Sequence, residues 1–113
     1  MYPTLYRLAD QLGRLVKSRH QYLATAESCT GGQLATLLTS VPGASQWFTG
    51  GVILALSPSQ LTHDGVASQE TALAMAEGVL TKLEANIAMA ITGIAGPSGA
   101  TVTPGFNHLF FVK

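Results

Sequence analysis

The chemically richest stretch of this chain is one short run, Glu27-Ser28-Cys29-Thr30-Gly31-Gly32, which sets a carboxylate, two hydroxyls and a thiol against paired glycines. Ser28 or Cys29 would act as a nucleophile only with a base within hydrogen-bond reach, and a lone buried Cys usually serves as a small core hydrophobe. Cys29 is therefore read as structural. If the run ends a strand and opens a helix, the backbone N–H groups around Thr30, Gly31 and Gly32 would suit an anion such as a phosphate without any Lys. A second run, Gly93-Ile94-Ala95-Gly96-Pro97-Ser98-Gly99, has the glycines that let backbone approach a ligand closely. Both loops would lie beyond the carboxyl ends of strands, where open α/β sheets bind ligands. Neither matches a standard dinucleotide or Walker fingerprint, and glycine-rich turns after strands are also common packing solutions. His20, His63 and His108 are scattered without metal-ligand spacing, so no metal and no cofactor is expected.

The surrounding pattern predicts the elements that would hold these loops. Leu5, Leu8, Ala9, Leu12, Leu15 and Val16 recur at three- and four-residue steps, with Arg7, Asp10, Arg14 and Lys17 between them, which predicts an amphipathic first helix with those apolar residues inward. Tyr22–Ala26 reads as a buried strand entering the Glu27–Gly32 turn. A second helix follows with Leu34, Leu37, Leu38 and Val41 on its apolar side, and Pro42-Gly43 stops it. Trp47-Phe48 and a Gly50-Gly51 turn lead to Val52–Leu56, read as a strand apolar on both faces. Ser57–Ala67 reads as a loop. Ser68 is an N-cap and Glu70 a first-turn acid for a third helix with a stripe of Ala72, Met75, Ala76, Val79, Leu80 and Leu83. Ile87–Ile91 is a further apolar strand, and the chain closes on Leu109–Val112. Helices alternating with short buried strands predict the α/β class: one domain, residues 1–113, a three-layer α/β/α arrangement with a mainly parallel or mixed sheet, truncated at the C-terminus.

Composition narrows the partners. The chain has 113 residues, 47% hydrophobic and 11% charged, with six Lys plus Arg balancing six Asp plus Glu. Four of the basic residues, Arg7, Arg14, Lys17 and Arg19, sit in the N-terminal segment, and none lies between His20 and Thr81. That distribution argues against a nucleic-acid groove, which needs many cationic phosphate contacts. The apolar runs are too short to span a bilayer, and the charged N-terminus does not resemble a signal peptide. A single Cys offers no internal disulfide, which fits a cytoplasmic location. Zero net charge provides little colloidal repulsion, so a homo-oligomer is expected.

The run Thr25-Ala26-Glu27-Ser28-Cys29-Thr30-Gly31-Gly32 closely resembles the hallmark TAESCTGG of the CinA C-terminal-domain family. Three more segments agree in order: Val41-Pro42-Gly43-Ala44-Ser45 with Trp47-Phe48, then Gly65-Val66-Ala67-Ser68, then Ile91-Thr92-Gly93-Ile94-Ala95-Gly96-Pro97. The resemblance implies hydrolysis of the amide of nicotinamide mononucleotide, releasing ammonia, with Ser28 as nucleophile. Together with the two loops read above, this makes Glu27, Thr30, Gly31, Gly32, Gly93 and Gly96 the expected contacts of a nucleotide-like ligand. Family members carry a Tyr-Ser-Asn-x-x-Lys segment whose Tyr and Lys are expected to activate the serine. The corresponding stretch here reads Ala55-Leu56-Ser57-Pro58-Ser59-Gln60, so Ala55 and Gln60 replace the two proton-handling groups. Pro104-Gly105-Phe106 stands where the family has Pro-Val-Gly, and the Gly-Asp-Arg segment and closing helix are absent. These departures predict a divergent relative with weak or lost catalysis, or a non-catalytic nucleotide-phosphate-binding or interaction module.

Overall fold

Leu23–Glu27 forms the central strand, β1, and all five of its residues are buried. That is the expected fate of a strand bonded on both edges and covered on both faces. The computed structural model describes residues 3–28, 30–54, 69–93 and 107–112. In chain order they form α1 (Pro3–Ser18), β1, α2 (Gln33–Thr39), a 3-10 turn (Ala44–Gln46), β2 (Phe48–Ile53), α3 (Gln69–Lys82), β3 (Ile87–Gly93) and β4 (Asn107–Val112). The sheet order is β2-β1-β3-β4. β1 runs parallel to β2 and β3, and β4 is antiparallel to β3. The expected α/β class with a mixed sheet is what the chain adopts.

Side chains alternate across a strand, and the two faces of this sheet differ in bulk. On one face Leu23 and Met89 join Ala9 and Val16 of α1, Leu38 of α2, and Val41, Ala44, Trp47 and Phe48. On the other, Ala24, Ala26, Ala88 and Ala90 meet Met75, Ala76 and Val79 of α3. Four alanines in adjacent strands leave room for α3 to lie close against the sheet. The layers are thus α1 and α2, then the sheet, then α3. The α3 stripe is buried as its spacing predicts, with Ala72, Met75, Ala76 and Val79 inward. Gly78 sits exposed in the middle of α3, and a methyl group added there would meet no other atom within 4 Å. Gly78→Ala is therefore expected to stabilise the chain by about 0.5–1 kcal/mol, read as a higher urea midpoint.

Two details differ from the pattern. β2 begins at Phe48, so Gly50 and Gly51 are strand residues paired with Ala24 and Thr25, not a turn. Among the described residues β2 pairs with β1 alone, and it alternates in burial with Ile53 exposed, because an edge strand is covered less completely than a central one. On α1 the buried residues are Ala9, Gly13 and Val16, while Leu5, Leu8 and Leu15 face outward. The helix is rotated toward its small residues because the Trp47 ring lies against Gly13 and leaves no space for a larger inward side chain. The predicted N-cap Ser68 and the Ser57–Ala67 loop lie outside the described residues, and no described helix is long and apolar enough to cross a membrane.

Candidate functional site

β1 leads through α2 to β2 on one side, while its neighbour β3 leads to β4 on the other. The carboxyl ends of β1 and β3 therefore flank a point where the chain leaves the sheet in opposite directions, the usual place for a ligand crevice in open α/β sheets. The β1–β3 register pairs Glu27 with Ile91, so the next residues along, Ser28 and Thr92, come side by side. Ser28 N–H donates to Ile91 O at 3.1 Å, and the Ser28 hydroxyl donates to Thr92 Oγ1 at 3.0 Å. Thr92 is fully buried and Ser28 half-buried. Sequence reasoning does not single out Thr92. The signal is present, because two parallel strands ending in step bring the residues after their last pair together.

Glu27 points the other way across the pleat, toward α2. It is 1% exposed, and its carboxylate accepts three hydrogen bonds. Thr30 Oγ1 donates to Oε1 at 2.7 Å, Leu34 N–H to Oε1 at 2.8 Å, and Ala35 N–H to Oε2 at 2.9 Å. The N-cap position of α2 is Gly32, which has no side chain to cap with and sits in the left-handed region at φ 98°. Glu27 thus reaches from the strand to satisfy two of the amides that a helix start leaves unpaired. The turn between them needs positive φ at both Gly31 and Gly32, which glycine tolerates far better than other residues. The chain is held on both sides of Ser28: Leu54 N–H donates to Glu27 O at 2.7 Å, and Gly31 N–H to Ser28 O at 3.2 Å.

Among the residues expected from sequence, the structure brings Ser28 close to the β3 end, where Gly93 is the last strand residue. Glu27 and Thr30 engage each other and the start of α2, and Gly31 and Gly32 form the turn. Cys29, Ala55, Gln60, His63, Gly96 and Pro104-Gly105-Phe106 lie outside the described residues. Chemically the described site offers one hydroxyl supported by another, with the adjacent carboxylate committed to a helix.

A family model described as the CinA C-terminal domain matches residues 5–106. A CinA-like protein of Amoebophilus asiaticus is 44% identical over 105 residues, covering 84% of this chain and 25% of that protein. A CinA-like protein of a Cyanothece species is 46% identical over 106 residues, covering 85% of this chain and 25% of the relative. The chain thus spans about a quarter of the length of these curated relatives. Among solved structures, the competence/damage inducible protein CihA from Agrobacterium tumefaciens superposes with a TM-score of 0.87 at 34% identity, over 98% of this chain and 75% of that one. The competence damage-inducible protein A from Klebsiella pneumoniae gives 0.79 at 26% identity, over 96% and 81%. The hydroxyl pair at the ends of β1 and β3 and the carboxylate-capped turn between β1 and α2 are accordingly features of a member: the chain belongs to the CinA C-terminal-domain family.

Proposed function

We propose that this chain is a divergent, cytoplasmic relative of the nicotinamide-nucleotide amidohydrolases, in which Ser28 marks the catalytic centre and hydrolysis is weak or lost. The observation that carries the reading is the company Ser28 keeps. In amide hydrolysis by a serine, the oxygen attacks the amide carbon as its proton passes to a base, the base returns a proton to the nitrogen as the C–N bond breaks and ammonia leaves, and water then cleaves the acyl-serine ester. Thr92 is a hydroxyl and does not accept that proton at neutral pH. Glu27 has its carboxylate occupied at the start of α2. The two sequence positions where a Tyr and a Lys would be expected hold Ala55 and Gln60, neither of which titrates. Removing the base from a unit that works together takes away most of the rate enhancement.

A second reading, a nucleotide-binding module without turnover, is favoured by what persists. The Ser28–Thr92 pair and the Gly31-Gly32 turn are intact at the mouth of the sheet. One pair of measurements separates the readings. Purified protein and Ser28→Ala are incubated with nicotinamide mononucleotide, ammonia release is followed, and binding is measured by calorimetry on the same samples. We expect no release above the Ser28→Ala level, with the binding experiment deciding whether the site still holds a nucleotide. Release that vanishes in Ser28→Ala would establish a working amidohydrolase and sink the proposal of lost catalysis.

A further inference from the structure

Trp47 is 3% exposed, yet its indole N–H donates no hydrogen bond to any described residue. A donor buried without an acceptor is costly, and folded proteins set an acceptor against nearly every such group. The nitrogen edge of the ring faces α1 at Gly13, where Nε1 is 2.7 Å from the position a Cβ would take. Gly13 and Trp47 are two walls of a cavity of about 160 Å³ between α1 and the 3-10 turn, and Asp10, Arg14, Lys17 and Gln46 bring polar groups to it. Asp10, Gly13, Arg14 and Lys17 share one face of the helix, and glycine at its centre leaves the indole N–H uncovered. The cavity lies at the amino end of β1, where Leu23 N–H donates to Trp47 O at 2.8 Å, and so at the opposite end of that strand from Ser28.

We infer that this cavity binds a small oxyanion, a carboxylate or phosphate group whose oxygens accept from the Trp47 indole N–H and the Lys17 ammonium. The groups around it are unevenly committed. Arg14 Nε donates to Asp10 Oδ2 at 3.1 Å, so the one carboxylate is offset by its own cation. Lys17 Nζ donates to Gln46 Oε1 at 2.6 Å, which draws the ammonium from α1 across to the residue next to Trp47 and leaves two of its N–H groups to give. The cavity therefore has a surplus of donors and of positive charge. A water would satisfy the indole N–H, whereas an oxyanion satisfies the N–H and the ammonium together through charge-assisted hydrogen bonds. Size agrees with a single anionic group: the volume corresponds to about five waters and falls below the roughly 300 Å³ at which sites for larger ligands begin.

The chain has one tryptophan, so the indole N–H gives a single signal in a proton–nitrogen correlation spectrum and reports on the cavity directly. The full chain is titrated with inorganic phosphate and, separately, with acetate, each at an ionic strength matched by sodium chloride. The signal is expected to move downfield as the N–H gains an anionic acceptor and to saturate in the millimolar range, and the tighter of the two anions tells whether the site takes a phosphate or a carboxylate. Lys17→Met, at an exposed position that retains its helix by circular dichroism, is expected to raise the dissociation constant at least about tenfold. Arg7→Gln removes a cation from the same helix outside the cavity and is expected to leave it within about twofold. An indole signal unmoved by either anion up to about 50 mM would overturn the inference. Binding undiminished in Lys17→Met, or weakened as much by Arg7→Gln, would overturn it as well, since the attraction would then belong to the basic helix at large.

Discussion

Glu27→Ala is expected to lower stability by about 3 kcal/mol and the melting temperature by roughly 15 °C. The size follows from what the carboxylate does. Hydrogen bonds to a charged group contribute about 1.5–3 kcal/mol each, and removing one partner leaves the other desolvated and unpaired. Glu27 holds two backbone amides of α2 and the Thr30 hydroxyl in a site closed to solvent. α2 is only seven residues long, and Gly32 offers it no local cap, so little else holds its first turn. Glu27→Gln separates charge from shape: the amide keeps one acceptor oxygen but turns an N–H donor toward another donor. It is expected to cost about half as much as the alanine change. Chemical denaturation with circular dichroism measures both. If Glu27→Ala stays within about 1 kcal/mol of the parent, the capping role assigned to Glu27 is wrong.

That role explains why the site is only partly legible in the sequence. A Glu followed by Ser, Cys and Thr at a strand end reads as a cluster facing a ligand, and Glu27 groups with the ligand-contacting residues for that reason. Alternation within the strand sends neighbouring side chains to opposite faces, so Ser28 meets Thr92 while Glu27 turns to α2. The clue is the missing cap: a helix preceded by Gly31-Gly32 has no Ser, Thr, Asp or Asn at its start, so its amides must find an acceptor elsewhere. The buried strands β1 and β3 and the α3 stripe are legible because apolar runs and three-four spacing survive in any context. The start of β2 is not, because paired glycines normally signal a turn. Here they lie in an edge strand, where a residue without a side chain lets β1 and α2 come close: a side chain at Gly51 would meet Thr25 and Ala35.

α1 illustrates the same competition between pattern and packing. Hydrophobicity alone turns the leucines inward, but the structure turns Ala9, Gly13 and Val16 inward instead. The cause is Trp47, the single tryptophan of the chain, which is 3% exposed and packs at a tilt against Phe48 with ring centroids 6.1 Å apart. Its indole lies over the backbone of α1 at Gly13. A side chain of any size at position 13 would displace the ring, so the helix presents its small residues there and its leucines elsewhere.

Gly13→Ala is accordingly expected to destabilise the chain by about 2 kcal/mol, although alanine is the better helix former. Two effects oppose each other. The substitution gains about 1 kcal/mol of helix propensity. It also puts a methyl group 2.7 Å from Trp47 Nε1 and closer still to two ring carbons, which a buried, rigid ring cannot relieve by small shifts. Overpacking of this kind costs about 1–3 kcal/mol, occasionally more, and the short distances place this site at the upper end. The same substitution at Gly78 has the propensity term without the clash, so the two changes should move the urea midpoint in opposite directions. Emission from Trp47 should shift to longer wavelength in Gly13→Ala as the ring is pushed toward water, and remain unchanged in Gly78→Ala. A Trp47→Leu background makes the assignment specific: with the ring gone, the cost of Gly13→Ala should shrink toward zero or reverse, a coupling of about 2 kcal/mol between residues in contact. If the penalty persists at full size without the indole, the close approach of Trp47 is not what dictates glycine at position 13, and the rotation of α1 needs another cause.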